Sequence, residues 1–547
     1  MLLRGLPVGF RSAEPLGRTA DSPWLFRYAG DTPPEVLAAR LAADPRIAFA
    51  TPNRVFAVPS PLAASPATTP PAPPYVPEDS LAARQWALLE SRLPDVWFYR
   101  GHNGAGQLIA IIDTGVDLNH PDLTSRLAVN QPEADGAPGV DDDGNGYVDD
   151  VYGYDFTDAP GLPGAGDWLG RDADPTDDHG HGTQVAGVAG AEAENRIGIA
   201  GAAPGARLLA VRAGFRTSLP FQSGLLQEDD AAAAILYAAD RGANVLNLSW
   251  GDNVDSPTVA YAVAYARARG CLVVVAAGNT GGRDPYYPAA AKGVLAVGAA
   301  SSGGIKTGFS TFGPDLDLLA GGTAVLTTGL DGSYLSVSGT SFAAPLTAGA
   351  AAVVWSAHPH WTADEVAWAL RLGARRSGGW TEHEGWGSLD AVAAMGMGRP
   401  PVVQVEEVAY RSEVELSGSV AHPHVVHWSL AVAEDTEGAE ETMLVANASR
   451  QVVRGLLGAW QAQSTNPVVF TLRAGVSGFP PVEDRVRWQA PLTHDLADLR
   501  AEVQASGEHL DLVVTWTSQH PYQGVAWWEG DRSTRLGLET VAGRHHV

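Results

Sequence analysis

Five short runs of apolar residues are the feature that most restricts the fold of this 547-residue chain. The runs are continuous and do not alternate with polar residues, so we expect parallel strands that are buried on both faces. Helical patterns follow them, for example at Asp230–Arg241 and Ser256–Arg269. The runs are Leu108–Ile112, Leu208–Val211, Val245–Leu248, Leu272–Ala276 and Val294–Val297. Strands that alternate with helices predict an α/β domain with a doubly wound parallel sheet.

The first part of the chain differs in composition from this domain. Residues 1–57 predict a small α+β unit, with a strand at Trp24–Tyr28, a helix at Pro34–Ala43 and a strand pair over Ile47–Val58. Residues 58–83 are rich in proline, which cannot build a packed element at this density and favours an extended, exposed linker. Such a linker is open to proteolytic processing.

The rest of the chain divides into two further segments. Residues 84–398 contain the doubly wound sheet. Residues 399–547 are β-rich, because their apolar runs are short and separated by Gly, Pro and polar turns, which is typical of a β-sandwich. The predicted strands are Val402–Val408, Val414–Val420, His424–Val432, Val468–Ala474 and Leu510–Thr517.

Charge and composition exclude several classes of protein. The net charge is −26 and the isoelectric point is about 4.9, whereas nucleic-acid binding needs a basic face. We expect no membrane span, because the longest apolar stretch, Phe342–Trp355, is short and Pro345 interrupts it. Met1–Phe10 lacks the sustained apolar region of a signal peptide. Cys271 is the one cysteine, so no internal disulfide can form.

Three local motifs supply the parts of a nucleophilic site. Asp113 ends a buried run in IIDTG, His181 opens a helix in GHGT, and Ser341 begins a helix in GTSFAAP. A serine hydroxyl needs an imidazole to take its proton, and the imidazole needs a carboxylate to fix its tautomer. Asn279, in AAGN after another strand, would hold the oxyanion together with the Ser341 N–H. His179 lacks the following Gly-Thr, so we expect a solvated loop residue there.

The order Asp…His…Ser is that of the subtilisin arrangement, and the motifs resemble the subtilase family from about Gln85 to Ala394. The similar segments, in family order, are IIDTGVDLNHPDL, GHGTQVAGVAG, GIAGAAPGARLLAVR, GANVLNLSWG, VVVAAGN, FSTFGPDLDLLA and GTSFAAPLTAGAAA. The resemblance implies a subtilisin-like serine endopeptidase that hydrolyses protein and peptide substrates through an acyl-enzyme.

The resemblance also implies where the substrate binds. One segment should pair with the substrate backbone, and another should line the opposite side of the primary specificity pocket, with the peptide added as a strand. Tyr286 stands where many family members carry glycine at the pocket floor, which favours a shallow pocket for small or medium side chains. The implied residues are Ser249, Trp250, Gly251, Ala276, Ala277, Gly278 and Tyr286.

An acidic loop suggests a calcium site. Its oxygen-bearing side chains stand at alternate positions with a glycine at the sixth, as in the first half of an EF-hand loop. The glutamate expected at the twelfth position is missing, since Tyr152 stands there. A solvated acidic loop without a metal is the alternative. The candidate ligands are Asp141, Asp143, Asn145, Asp149 and Asp150.

A second calcium site is implied by the resemblance alone. Asp122 in HPDL and Asn195 in the loop 194–199 match the subtilase calcium site, with carbonyls near Ile197 and Ile199, and Gln85 as a further candidate. Calcium at either place would stabilise the native state and take no part in the chemistry.

The N-terminal unit resembles the end of a subtilase propeptide over residues 24–58, especially in DPRIAFATPNRVFAV. Such units act as folding chaperones and inhibitors of their own enzyme and are then cut away, here within the proline-rich linker. An unrelated α+β appendage is the alternative. Most relatives with propeptides are exported, so we expect a secreted or cell-surface protein.

Two other functions compete with proteolysis. A non-catalytic binding or adhesion protein could use the same scaffold, although a complete triad with Asn279 speaks against it. An esterase is disfavoured because Ser341 does not lie in a Gly-x-Ser-x-Gly elbow. The region 399–547 resembles β-sandwich modules attached to bacterial subtilases, and its role in folding, surface attachment or substrate binding stays open.

Overall fold

A computed structural model describes residues 10–18, 22–28, 33–42, 49–58, 75–218, 224–375, 379–410, 413–462, 466–489, 497–506, 509–518 and 543–546. Its strands are β1 (Phe10–Pro15), β2 (Trp24–Tyr28), β3 (Val55–Val58), β4 (Leu108–Asp113), β5 (Gly153–Asp155), β6 (Arg207–Arg212), β7 (Gly214–Arg216), β8 (Gly224–Gln227), β9 (Val245–Leu248), β10 (Leu272–Ala276), β11 (Leu295–Ser301), β12 (Ile305–Lys306), β13 (Leu318–Gly321), β14 (Val325–Thr328), β15 (Tyr334–Val337), β16 (Val402–Tyr410), β17 (Val414–Ala421), β18 (Val425–Glu434), β19 (Thr442–Ala448), β20 (Val452–Trp460), β21 (Val468–Val476), β22 (Val482–Trp488), β23 (Ala497–Ser506), β24 (His509–Ser518) and β25 (Gly543–His546). Its α-helices are α1 (Pro34–Ala42), α2 (Trp86–Glu90), α3 (Leu93–Arg100), α4 (Gln131–Asp135), α5 (His181–Gly190), α6 (Glu228–Asp240), α7 (Pro257–Ala268), α8 (Thr340–Ala357), α9 (Ala363–Gly373) and α10 (Ala391–Gly396).

The central sheet has the strand order β12-β11-β10-β9-β4-β6-β5, with β13 also paired to β11. All of its pairings are parallel except that of β12, a two-residue strand that runs antiparallel at the edge. The doubly wound α/β fold predicted from the apolar runs is therefore confirmed, with one antiparallel edge strand that the sequence pattern did not indicate.

Alternate residues of each central strand face two different cores. In β4, Ile109 and Ile111 pack into the core that contains the buried faces of α5 and α8. Ala110 and Ile112 pack into the core formed with α6 and α7. Since both faces of the sheet are covered by helices, neither row of side chains can be polar, which explains why the runs are continuous.

Helix α8 lies in the first of these cores. It is the one helix in the described part of the chain with the length and apolar composition of a membrane span, but nearly all of that stretch is buried inside the protein. Pro345 lies in its second turn, and its first turn carries Ser341. In the structure, Phe342–Trp355 is thus part of a helix that packs in the core.

Strand β3 belongs to a sheet that joins two parts of the chain. It pairs antiparallel with β8, so that Val58 lies opposite Gly224 and Val55 opposite Gln227, and β8 in turn pairs with β7. The expected strand pair over residues 47–58 is wrong in its described part: residues 49–54 contain no strand, and the partner of β3 comes from the domain of the central sheet. Residues 43–48 lie outside the described part.

The C-terminal region contains several antiparallel sheets, as expected. Three strands form the sheet β16-β17-β20 and four form the sheet β19-β18-β21-β22. Apolar residues of both sheets share one core, to which Trp368 of α9 and the adjacent Trp386 also contribute. The region therefore shares part of its core with the domain of the central sheet. A separate sheet is formed by β23-β24-β25.

We expect the pH dependence of stability to reflect Asp155, at the end of β5. This carboxyl is fully buried, and burial raises its pKa to about 7, although Arg212 and Thr157 oppose the shift. The native state therefore binds the proton more strongly than the unfolded chain, whose aspartates titrate near about 3.9. This contribution to stability is present at low pH and is lost as the pH rises through about 7.

The measurement is the free energy of unfolding of the full chain between about pH 5 and about pH 8. Asp155→Asn should flatten the decline with rising pH, whereas Asp135→Asn, at an exposed position, should leave the wild-type slope. An unchanged slope in Asp155→Asn contradicts the prediction.

Candidate active site

Asp113 lies at the carboxyl end of β4 and is buried, with 1% of its surface exposed. Its Oδ1 accepts hydrogen bonds from the Thr114 N–H at 2.8 Å and from His181 Nδ1 at 2.7 Å. The second bond requires the tautomer of His181 with a proton on Nδ1. The structure therefore brings together two of the three residues of the predicted triad in the geometry that their chemistry needs.

His181 is the first residue of α5, and a close contact of backbones fixes where that helix begins. A Cβ atom on Gly182 would lie 2.1 Å from the Gly115 carbonyl oxygen, so only glycine fits. The Gly182 N–H also donates to Thr114 Oγ1 at 2.9 Å. The turn after β4 and the start of α5 are thus held against each other, which explains the glycine after His181.

The Asp177 carboxylate organises this junction, and sequence reasoning did not single it out. It accepts hydrogen bonds from Thr114 Oγ1, the His179 and Gly180 N–H groups, and both the N–H and Oγ1 of Thr183, at 2.7–3.0 Å. Burial raises its pKa, and these donors oppose that shift. Asp177 is one of many aspartates in this stretch, so its role depends on contacts that the sequence alone does not reveal.

His179 is not the solvated residue that we expected. Its side chain is largely enclosed, its Nδ1 accepts from the His181 N–H at 3.3 Å, and a Cβ on Gly224 of β8 would lie 3.0 Å from its Nε2. Burial, reinforced by the nearby His181, lowers its pKa to about 4. His179 is therefore a neutral neighbour of the site at ordinary pH.

Ser341 lies in the first turn of α8 and is buried. Its Oγ donates to the Ser249 carbonyl at 3.2 Å, and Ser249 Oγ donates to the Ser341 carbonyl at 2.9 Å. The expected hydrogen bond from Ser341 to His181 is not made, and within the described residues His181 Nε2 has no hydrogen-bond partner. The His181 and Phe342 rings, with centroids 5.8 Å apart, bring the two motifs into contact.

Asn279 follows β10 and faces the start of α8. Its Oδ1 accepts from the N–H and Oγ1 of Thr340, at 2.9 and 3.0 Å. This orientation leaves Nδ2 as a donor, and a Cβ on Gly339 would lie 3.6 Å from it. An amide donor is therefore held beside the turn that carries Ser341.

Two short segments, here called the walls, contact the start of α8 through Ser249 and Gly278. Ser249, Trp250 and Gly251 follow β9, and Ala276, Ala277 and Gly278 end or follow the neighbouring strand β10.

The Tyr286 ring lies between these walls. A Cβ on Gly251 would come within 2.6 Å of the ring and one on Gly278 within 2.7 Å, and the Tyr286 hydroxyl donates to the Gly251 carbonyl at 2.7 Å. The sequence placed Tyr286 at the floor of the pocket, and the structure has its ring in contact with both walls.

In the acidic loop, the structure draws together a set of carboxylates that differs from the predicted one. Ligand atoms of Glu133, Asp143 and Asp150 lie within 4.8 Å of one another. Glu133, in α4, was missed because it precedes the loop. Asp141 instead accepts from the N–H groups of residues 145 and 146, and Asp149 accepts from the Gly139 N–H.

Side chains of the protein already neutralise part of the negative charge of this cluster. Asp150 is ion-paired with Arg241 and accepts from the Tyr237 hydroxyl at 2.6 Å. Asn145 Nδ2 donates to Asp143 and Asp150 at 3.0–3.2 Å. Hydrogen bonds within the protein thus already occupy some of the carboxylate oxygens of the loop.

The other predicted metal residues, Asp122 and Asn195, do lie together. Asp122 is fully buried and accepts from Asn195 Nδ2, the Ile199 N–H and the Tyr334 hydroxyl at 2.8–3.0 Å. Asp79, which the sequence did not indicate, accepts from the N–H groups of residues 194 and 195. Burial raises the pKa of Asp79.

Gln85, suggested as a further calcium ligand, binds the protein backbone in the structure. Its amide makes two hydrogen bonds to the backbone of Ala200, at 2.8 Å each. Neither Asp79 nor Asp122 has an ion-pair partner in the part of the chain that the structure describes. Carboxylates without an ion-pair partner are of the kind that a hard cation such as Ca²⁺ binds.

Comparison with known proteins gives the family. The model of the Subtilase family matches residues 104–387, more than half of the chain. A thermophilic serine proteinase from Bacillus sp. (strain AK1) is 41% identical over 252 residues, which are 46% of this chain and 53% of that protein. Thermitase from Thermoactinomyces vulgaris is 36% identical over 283 residues, 52% of this chain and 86% of thermitase.

A solved structure, of a protease from Pseudoalteromonas arctica PAMC 21717, is 28% identical with a TM-score of 0.49 and covers 59% of this chain and 99% of that one. The chain spans about half the length of the Bacillus relative that it matches. Because the family model covers more than half of the chain and the match to thermitase covers most of that enzyme, the chain belongs to the subtilase family of serine endopeptidases.

Proposed function

We propose that Asp113, His181 and Ser341 form the catalytic triad and hydrolyse peptide bonds in proteins through an acyl-enzyme. The observation that carries the proposal is the state of His181: its Nδ1 is fixed by Asp113 at 2.7 Å, while its buried Nε2 has no partner within the described residues. A base oriented in this way is ready to accept a proton from a nucleophile.

The reaction begins when the Ser341 hydroxyl turns from the Ser249 carbonyl to His181. His181 Nε2 takes the proton as Ser341 Oγ attacks the scissile carbonyl carbon, and Asp113 stabilises the imidazolium that forms. Protonation of the leaving amine by His181 completes acylation, and water then releases the acyl group by the same route. Catalytic hydrogen bonds are often incomplete before substrate binds, so the resting contact with Ser249 fits this sequence.

Asn279 and the Ser341 N–H would stabilise the tetrahedral oxyanion. The contacts of Asn279 Oδ1 with Thr340 support this role, because they fix the amide before the reaction starts. A donor held in place in a site shielded from water needs no reorganisation when charge develops on the substrate oxygen.

We further propose that the substrate runs along residues 249–251, and that the pocket between the two walls accepts small or medium side chains. The Tyr286 ring supports this size limit, since it already touches both Gly251 and Gly278. A large aromatic side chain would compete with that ring for the same space.

The N-terminal unit is proposed to be an inhibitory propeptide that the enzyme removes within the linker 58–83. The pairing of β3 with β8 supports this, because strand addition is a common mode of peptide recognition. Polar contacts anchor the same segment: Asn53 exchanges two hydrogen bonds with Asp229, and the Arg54 N–H donates to Glu228. Since most relatives with propeptides are exported, we also propose that the protein is secreted or lies at the cell surface.

Calcium is proposed as a structural ion held by Asp79, Asp122 and Asn195 together with carbonyls of the loop 194–199. The absence of an ion-pair partner for either carboxylate in the described ranges supports this site. A second ion at Glu133, Asp143 and Asp150 is proposed as well, with weaker support, since Arg241 already neutralises Asp150.

Ser341→Ala tests both the triad and self-processing. Casein hydrolysis should fall by at least about 10⁴-fold, and a serine-directed covalent inhibitor should no longer label the protein. The variant should stay full-length, whereas the wild type should lose its N-terminal segment, as intact-mass measurement would reveal. Ser336→Ala, at an exposed serine of β15, is the matched control and should behave as wild type. Normal hydrolysis or normal trimming by Ser341→Ala would refute the assignment.

Tyr286→Gly tests the size of the pocket. Removal of the ring should raise kcat/KM for a peptide with Phe before the cleaved bond, relative to one with Ala, by about tenfold. Tyr286→Phe keeps the ring and loses only the hydroxyl contact, so it should retain the wild-type preference. A wild-type peptide-library profile dominated by Phe or Tyr would contradict the prediction.

Chelation tests calcium. EDTA should lower the melting temperature, and calcium should restore it, because an ion at about 100 times its Kd stabilises the native state by about 2.7 kcal/mol. Asp122→Asn should lose most of this response, and Glu133→Gln should lose the smaller part that belongs to the acidic loop. A melting temperature that does not respond to chelation rules out both sites.

A further inference from the structure

The loop of residues 280–288, here called the specificity loop, connects two parts of the site. It begins directly after Asn279 and contains Tyr286, whose ring lies between the pocket walls. Near its end, Tyr287 exchanges two backbone hydrogen bonds with Asp252, at 2.6 and 2.9 Å, next to the wall 249–251. A displacement of this loop would therefore move the residue that limits the pocket and strain the turn that holds the amide donor.

Arg283, in the middle of the loop, is held by one carboxylate from the domain of the central sheet and by one from the C-terminal region. Its Nε and Nη2 donate to the two oxygens of Glu382, at 2.7 and 2.8 Å. Its Nη1 lies 2.7 Å from the carboxylate of Asp435 and donates to the Asp435 carbonyl at 3.0 Å. Asp435 follows β18 directly, so the C-terminal sheets supply one of the two carboxylates that hold this arginine.

Arg487, in β22, adds a contact with the backbone of the loop. Its Nη2 donates to the Arg283 carbonyl at 3.2 Å. Its Nε lies 2.7 Å from Asp435 Oδ2, and its Nη1 lies 3.1 Å from Asp315 Oδ2. Both the side chain and the carbonyl of Arg283 are thus bound by residues of the C-terminal sheets.

These contacts are of the kind that fix geometry. The side chains of Asp435 and Arg487 are only 10% and 9% exposed, so water screens their charges weakly. The bidentate bond of Arg283 to Glu382 and the bonds from Arg283 and Arg487 to backbone carbonyls are directional, because a guanidinium group presents its donors in a rigid planar fork. The carboxylate contacts of Asp435 with the two arginines are ion pairs that add attraction without fixed direction. The specificity loop itself contains no helix or strand, so its position depends on such external contacts.

We propose that the C-terminal β-sandwich is a positioning element for substrate selectivity, in which Asp435 and Arg487 hold Arg283 and thereby keep Tyr286 between the pocket walls. This inference rests on the proposed specificity pocket. It differs from simple docking of two domains, because an interface that only stabilises the protein could lie on any surface and would not alter the choice of substrate.

The test is Asp435→Asn in the full chain. This change removes the negative charge that lies between Arg283 and Arg487. Arg283 keeps its ion pair with Glu382 and Arg487 keeps its ion pair with Asp315, so the fold should persist. The measured quantity is the ratio of kcat/KM for two peptide amides that differ only in Phe or Ala before the scissile bond. The ratio does not depend on the fraction of folded enzyme, so a loss of stability alone cannot change it.

The expected result is that Asp435→Asn raises the Phe-to-Ala ratio by about tenfold, because a loosened loop lets the Tyr286 ring leave the pocket. Arg487→Met keeps the apolar stem of the side chain and loses the hydrogen bond to the Arg283 carbonyl. It should therefore change the Phe-to-Ala ratio in the same direction. If Asp435→Asn does not fold, Arg487→Met takes its place in the test.

The matched control is Glu441→Gln, which breaks an ion pair with Arg473 in the same region and removes no hydrogen bond or ion pair to the described residues of the loop. It should leave the ratio within about twofold of wild type. A ratio that stays at the wild-type value in both loop-contacting variants, or that moves equally in Glu441→Gln, overturns the inference. If the wild type cleaves neither peptide, the proposed function itself has failed, and this inference fails with it.

Discussion

The site depends on one constraint of the sheet: β4, β9 and β10 are neighbouring parallel strands, so their carboxyl ends lie side by side. Asp113 ends the first, the segment from Ser249 follows the second, and Asn279 comes shortly after the third. Parallel strands need crossover connections, and α5 lies in the one between β5 and β6. Helix α8 follows the last strand of the sheet, β13, and the first turns of these two helices carry His181 and Ser341 to the same edge. No single loop could bring these groups together, because Asp113 and Ser341 are separated by more than two hundred residues of chain.

Much of this could be predicted from the sequence, because burial on both faces leaves a clear pattern. The continuous runs at Ile109–Ile112 and Val273–Val275 have no room for polar residues, and the predicted strands agree with the observed ones to within a few positions. The glycines that flank His181 also have a physical reason, since the backbone of Gly115 passes against Gly182. Where packing strongly restricts which residue fits, the sequence pattern therefore predicts the structure well.

The residues that were missed are acidic: Asp177 and Asp79 lie in loops, and Glu133 lies in the short helix α4. Asp177, Asp79 and Glu133 each accept hydrogen bonds from backbone N–H groups, and these contacts depend on the conformation of the neighbouring loops. The chain has 62 acidic residues, so the presence of one more carboxylate predicts little. The hydrogen bond of Ser341 was also not foreseen: mechanism suggests His181 as its partner, but at rest the Ser249 carbonyl binds the hydroxyl. The pairing of β3 with a strand 166 residues further along the chain left no local signal either.

The sheet formed by β3, β8 and β7 has a consequence for competition at the edge of β8. While the chain between Val58 and Tyr75 is intact, β3 is an intramolecular ligand for that edge, and the effective concentration of such a ligand is typically in the millimolar range. A peptide dissolved at micromolar concentration would be outnumbered at that edge by about a thousand to one. Cutting the tether converts this into an ordinary bimolecular equilibrium, so dilution alone would then begin to free β8.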